Sequence, residues 1–110
     1  MALTLYGLKN CDTCKKALKA LEGAGKSVAF VDIRTDADLR TLVPKWLSVA
    51  GDELLVNRRS TTWRTLSEEA RETNPEALLV ANPTLIKRPV IEAGQELFVG
   101  WTKDVQASLI

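Results

Sequence analysis

The chain has 110 residues, of which 45% are hydrophobic and 26% are charged. This composition is typical of a soluble globular protein, and the length allows one domain with one core. The 15 basic and 14 acidic residues give a net charge of +1, which excludes bulk attraction to nucleic acid or to an acidic membrane.

The sequence also limits the location of the protein and its chemistry. No apolar run approaches the ~20 residues of a membrane span, and the N-terminus lacks the features of a signal peptide. We therefore expect a cytoplasmic protein, in which a close pair of cysteines is catalytic or redox-sensing rather than structural. The chain contains no histidine, so an activated nucleophile must rely on nearby charges and dipoles instead of an imidazole base.

The first elements are predicted to form a βαβ unit. A strand covers residues 3–6 and is closed by Gly7, and a helix with an apolar stripe covers residues 15–22. The nearly unbroken apolar run at 28–33 is typical of a strand covered on both faces. A right-handed crossover then places the two strands parallel to each other.

A helical insert is predicted for about residues 36–84. Asp36 or Asp38 caps its first helix, which runs to about residue 50. Pro44 lies inside this pattern and predicts either a kink or a break between two shorter helices.

The remaining elements are short and are separated by turn residues. Further helices are predicted after Ser67 and from near Pro75. The apolar pairs at 90–91 and 97–99 predict a β-hairpin, and residues 102–109 predict a final helix. The complete order predicts a single domain over residues 1–110 of the α/β class. Its expected fold is thioredoxin-like, as βαβ, helical insert and ββα around a mixed four-stranded sheet.

Cys11 and Cys14 are the only cysteines and form a Cys-x-x-Cys between the first predicted strand and the first helix. This is the arrangement of a thioredoxin-like redox site. Free N–H groups and the dipole at a helix N-terminus favour a thiolate. Cys11 is therefore the predicted nucleophile, and Cys14, one turn later, is the predicted resolving thiol.

Two other interpretations of the cysteines stay open. Cys14 falls on the side of the helix that turns inward, so it is also a candidate for a buried structural residue. A zinc site would need two further ligands from carboxylates or from a second chain, because histidine is absent. We therefore expect no metal.

Four segments resemble the motifs of the arsenate-reductase-like (ArsC) family, to which the Spx regulators also belong, and the match is closest to its small YffB branch. The first segment reads YGLKNCDT from Tyr6 and continues through Ala17. The others are residues 57–66, 82–90 and 97–101. They occur in the order of the family and together span nearly the whole chain.

This resemblance implies a thioredoxin-like domain in which Cys11 attacks and Cys14 or glutathione resolves, with Arg88 beside the nucleophile and a cis bond before Pro89. It implies a glutathione-dependent thiol reductase related to arsenate reductase, with glutathione or a small thiol or disulfide as substrate. Glutaredoxin is a second candidate partner. We expect a monomer without a tightly bound cofactor and without nucleic-acid or membrane partners. The residues assigned to substrate binding on this basis are Asn10, Lys15, Asn57, Arg58, Arg88 and Pro89.

The chain departs from the family pattern in two ways. Arsenate reductases of the family hold their oxyanion with three arginines, whereas here Arg88 is kept and Asn57 and Trp101 occupy the other two positions. The loss of bidentate donors weakens the case for arsenate as substrate. Cys14 instead resembles the redox switch of the Spx regulators, which bind RNA polymerase. A redox-switched binding protein is therefore the alternative to the reductase.

Overall fold

The computed structural model describes residues 2–110, and the sheet lies at the two ends of that stretch. The elements that build it are β1 (Ala2–Gly7), α1 (Asp12–Gly23), β2 (Ser27–Asp32), β3 (Val90–Ala93), β4 (Glu96–Val99) and α7 (Lys103–Leu109). Strand β1 pairs parallel with β2 and antiparallel with β3, which gives the order β2-β1-β3-β4. This mixed sheet and its element order confirm the predicted thioredoxin-like α/β fold.

The chain divides into two compact units. One consists of the residues up to Ala37 together with Arg88–Ile110, and the other is Asp38–Lys87. The helical insert expected at about 36–84 covers nearly the same stretch as the second unit. Across residues 2–110, no helix has both the length and the apolar character needed to cross a membrane.

The core of the first unit forms where α1 packs on β1. Leu3 and Leu5 on the strand are buried, and α1 contributes Cys14, Ala17 and Leu21. These three helical positions follow the i, i+3, i+7 spacing of one helix face. The face that buries Cys14 is therefore the same face that attaches the helix to the sheet.

The second unit consists of short helices. They are α2 (Leu39–Ala50), α3 (Asp52–Leu55), α4 (Thr61–Thr65), α5 (Glu68–Arg71), α6 (Pro75–Ala81) and a 3-10 helix (Pro83–Leu85). Ser60, Ser67 and Asn74 cap three of them, because each side-chain oxygen accepts a hydrogen bond from a backbone N–H of the first turn. The helices predicted after Ser67 and near Pro75 are confirmed, as are the hairpin and the final helix.

Two predictions about helix limits need correction. Helix α1 begins at Asp12, whereas the sequence predicted a start at residue 15. Cys11 is the N-cap of this helix and makes no capping hydrogen bond with its side chain. Of the kink and the break predicted as alternatives at Pro44, the break is wrong, since α2 is one helix with Pro44 inside it. Val43 and Trp46, fully buried on either side, hold the helix together despite the missing proline N–H.

Candidate active site

Cys11 lies at the positive end of α1 with its side chain half-buried. Its backbone N–H donates to the Leu8 carbonyl at 3.2 Å, and its carbonyl accepts from the Lys15 N–H at 3.0 Å. The Cys11 side chain makes no capping hydrogen bond, so the sulfur is not used in holding the helix end. The N-terminal N–H groups and the helix dipole favour negative charge at this position.

Cys14 lies in the first turn of the same helix but belongs to the core. Its side chain is 0% exposed, and it forms no disulfide with Cys11. Burial is the main cause that raises the pKa of the Cys14 thiol to about 12, and a hydrogen bond to the Cys11 side chain acts in the same direction. The Leu8 backbone and the charge of Arg88 act in the opposite direction. At neutral pH Cys14 therefore remains a thiol, next to the Cys11 sulfur.

Gly7 leaves the space that the Cys14 side chain occupies. A Cβ atom on Gly7 would lie 2.5 Å from the Cys14 Sγ and 3.2 Å from its Cβ. The shorter distance does not occur between packed atoms and the longer one is tight, so any larger residue here must displace the cysteine. Sequence reasoning interpreted Gly7 only as the end of a strand and missed this contact. The adjacent Cys-x-x-Cys is the signal that a close approach was required.

Arg88 and Pro89 stand directly before β3. The Arg88–Pro89 bond is cis, as predicted, and the buried Pro89 carbonyl accepts from the Gly100 N–H at 2.8 Å. The Arg88 charge acts on the Cys14 thiol, which locates the guanidinium near the cysteine pair. Within residues 2–110, the half-buried Arg88 forms no ion pair with a carboxylate. Its charge is therefore available to an anionic ligand.

Asn10 and Lys15, also predicted to bind substrate, are both exposed on the loop and first turn beside Cys11. Lys15 borders a cavity of about 170 Å³ that is otherwise formed mainly by Leu8, Leu18 and Phe30. Among the described residues, 2–110, no group of three or more His, Cys, Asp or Glu side chains is arranged to hold a metal ion.

Asn57 and Arg58 belong to the second unit, where both make local contacts. The Asn57 Oδ1 accepts from the Arg59 N–H at 3.1 Å, so its oxygen closes a turn. Arg58 forms an ion pair with Asp52 at 3.3 Å and lies over the Trp63 ring at 5.4 Å from its centroid. Trp101, at the other position where an arginine was sought, packs against the core of the first unit.

Comparisons with known proteins identify a family that matches nearly the whole chain. The ArsC family profile matches residues 6–108. An uncharacterized protein from Haemophilus influenzae is 40% identical over 96% of this chain and 97% of its own length. The YffB protein has a solved structure with a TM-score of 0.86 and 35% identity, covering 97% of both chains. An arsenate reductase (ArsC) related protein from Brucella melitensis has a TM-score of 0.78 and 35% identity, covering 98% of this chain and 93% of its own.

Proposed function

This chain belongs to the ArsC family, and we propose that it is a glutathione-dependent thiol reductase in which Cys11 supplies the attacking sulfur. The difference between the two thiols carries the proposal. Cys11 is partly accessible at the start of α1, whereas the Cys14 sulfur is enclosed in the core. Thiol–disulfide exchange requires a sulfur that can reach the disulfide, and Cys11 is the more accessible of the two cysteines.

The proposed reaction is two successive exchanges. The Cys11 thiolate attacks the glutathione sulfur of a mixed disulfide, forms a Cys11–glutathione disulfide and releases the substrate as a thiolate. A second glutathione thiolate then attacks the bound glutathione sulfur, which gives glutathione disulfide and regenerates the Cys11 thiolate. The substrate sulfur is reduced to a thiolate and one free glutathione is oxidised as it joins the bound glutathionyl group in glutathione disulfide, so the electrons balance without a further cofactor.

In this scheme Cys14 acts on Cys11 and Arg88 acts on glutathione, and neither residue is consumed. The protonated Cys14 hydrogen-bonds to the Cys11 sulfur, which stabilises it as attacking and leaving thiolate. Arg88 offers a positive charge to a carboxylate of glutathione. We also propose a cytoplasmic location, because a glutathione-dependent enzyme needs a compartment that keeps thiols reduced.

Incubation of the reduced protein with glutathione disulfide tests the proposal directly. We expect intact-mass analysis to show one added glutathionyl group on the wild type and on Cys14→Ser. Cys11→Ser is the matched control and should gain none. Absence of an adduct on the wild type, with both thiols titratable after unfolding, would refute the reductase.

Arsenate is not the preferred substrate in this proposal. Asn57 and Trp101 stand at two of the three arginine positions and carry no guanidinium. The Asn57 oxygen instead closes a turn, and Trp101 packs against the core. Each missing charged partner commonly costs about 1.5–3 kcal/mol, which lowers turnover by orders of magnitude if both act in the transition state. We expect slow or no arsenate reduction with glutathione and glutaredoxin supplied. Robust turnover that Cys11→Ser abolishes would contradict this substrate choice.

The contact between the Cys14 and Cys11 side chains favours one second candidate. An oxidant that converts the pair to an internal disulfide would make the protein a redox-switched binding protein, as in the Spx regulators. A pull-down with RNA polymerase, comparing oxidised and reduced protein, separates the two candidates. Redox-dependent polymerase binding without a glutathione adduct would replace the reductase by the switch.

A further inference from the structure

A second cavity lies entirely in the unit Asp38–Lys87. Its volume is about 320 Å³, and its walls are formed by Glu53, Val56, Asn57, Arg58, Arg59 and Lys87. This volume is at the lower end of the range of small-molecule sites, about 300–1,000 Å³. The walls contain three positive charges, one negative charge and one carboxamide, so the cavity is suited to a charged ligand.

The backbone around this cavity is held by hydrogen bonds. Val56 and Ile86 form an antiparallel bridge, with the Asn57 N–H donating to the Leu85 carbonyl at 2.7 Å and the Lys87 N–H donating to the Leu55 carbonyl at 2.8 Å. The turn that follows Asn57 is closed because its Oδ1 accepts from the Arg59 N–H. The segments carrying Arg59 and Lys87 are therefore fixed, although both side chains reach solvent.

The cationic groups of the cavity differ in their availability. Arg58 is paired with Asp52 and stacked on Trp63, so its charge is partly neutralised and its position is set. Within residues 2–110, Arg59 and Lys87 form no ion pair and no side-chain hydrogen bond. These two groups are the ones that remain to bind a carboxylate or another anion.

Glu53 narrows the choice of ligand. A phosphate or another dense anion would approach the Glu53 carboxylate as well as the two cations, and like charges repel. A ligand with both a carboxylate and an ammonium group satisfies all three side chains. Buried Val56 adds an apolar surface for the methylene groups of such a ligand.

We propose that this cavity binds the α-amino carboxylate end of a glutamyl group, with the carboxylate on Arg59 and Lys87 and the ammonium on Glu53. The γ-glutamyl residue of glutathione presents this zwitterion, and this identification of the ligand rests on the proposed function. Arg59 and Lys87 thus replace Arg58, which the sequence favoured, as the cations that contact the ligand.

Titration of the full-length protein with S-methylglutathione tests this assignment, because the blocked sulfur prevents any exchange with Cys11. We expect Arg59→Ala and Lys87→Ala each to weaken binding roughly three- to tenfold, as for partly exposed charge-assisted contacts. Glu53→Gln should weaken binding of S-methylglutathione but not of its analogue without the amino group. Arg64→Ala removes an exposed arginine of the same unit that does not line the cavity, and it should bind as the wild type does.

The results separate this inference from the reductase itself. If all three variants bind S-methylglutathione as the wild type does, or if inorganic phosphate binds the wild type more tightly than the zwitterion, the assignment is wrong. A glutathione adduct on Cys11 in that case would leave the reductase standing. If the cavity variants weaken binding but Cys11 forms no glutathione adduct, the cavity does bind the ligand and the proposed reductase function is wrong. Circular dichroism of each variant confirms that it is folded.

Discussion

The first turn of α1 places two cysteines in opposite surroundings. Cys11, at the N-cap, is half-buried and makes no capping bond with its side chain. Cys14, three residues later, is fully enclosed between the helix and Gly7. The same residue type therefore has a partly accessible side chain at one position and is a protonated core residue at the other. Position relative to the helix end and the sheet decides the role.

Among the variants that test this difference between the cysteines, the one that removes Cys11 should have the largest effect on activity. We expect Cys11→Ser to abolish glutathione-dependent reduction of 2-hydroxyethyl disulfide, because no other accessible thiol is present to form the mixed disulfide. Cys14→Ser keeps a hydroxyl that can donate to the Cys11 sulfur and should retain measurable turnover. Equal loss in both variants, with both folded, would mean that Cys14 takes part in exchange directly.

A substitution at Gly7 tests the enclosure of Cys14. Gly7→Ala places a Cβ atom 2.5 Å from the Cys14 Sγ, so we expect a loss of about 1–3 kcal/mol in the free energy of unfolding by urea. Gly23→Ala is the control, since a Cβ atom there meets nothing within 4 Å and Ala favours a helix.

The double variant Gly7→Ala/Cys14→Ala separates the sulfur contact from other effects at Gly7. Removing the sulfur should restore part of the lost stability, because the clash with Sγ disappears while the Leu5 side chain stays 3.4 Å away. Additive losses in the double variant would show that Gly7 serves another purpose.

Features with a local sequence pattern could be predicted, and contacts between distant segments could not. The inward position of Cys14 followed from helix periodicity, and the fold followed from the order of apolar segments. The contact with Gly7 and the partners of Arg58 depend on which segments meet in three dimensions, so no local pattern contains them. Helices α3 and α4, of 4 and 5 residues, are too short for a periodic signal, although Ser60 gave α4 a capping residue.

Alkaline pH should lower the free energy of unfolding through ionisation of Cys14 in the unfolded chain. Burial raises the pKa of its thiol from 9.0 to about 12, so above pH 9 the unfolded chain releases a proton that the folded chain keeps. The free energy of unfolding should then fall by up to about 1.4 kcal/mol per pH unit from this group, mainly between pH 9 and 12.

Comparison with Cys14→Ala isolates this contribution. Burial and the hydrogen bond to Glu92 raise the pKa of Tyr6 to about 12 as well. The free energy of unfolding of both proteins should therefore still fall with pH near pH 10–12. In urea melts at successive pH values, the free energy of unfolding should nevertheless fall more steeply with pH for the wild type than for Cys14→Ala. Identical slopes would indicate that the Cys14 thiol ionises as readily in the folded chain as in the unfolded one.

Replacement of Arg88 should have the smallest effect on the contrast between the cysteines. Its charge lowers the pKa of Cys14, yet burial outweighs it. Arg88→Ala should therefore leave Cys14 unreactive and slow glutathionylation of Cys11 roughly tenfold, about the value of one charge-assisted contact. Stopped-flow mixing with glutathione disulfide measures the rate, and Arg40→Ala, an exposed arginine of the other unit, is the control. If Arg88→Ala reacts at the same rate as the control, Arg88 does not contribute to the reaction of Cys11 with glutathione disulfide.

Alkylation of the reduced protein with iodoacetamide at neutral pH tests the central claim most directly. The two thiols compete for one small neutral reagent, and peptide mapping at successive times gives a rate for each. We expect Cys11 to be modified first and Cys14 to stay protected until urea unfolds the chain, after which both react. Modification of Cys14 as fast as Cys11 in the folded protein would contradict this claim.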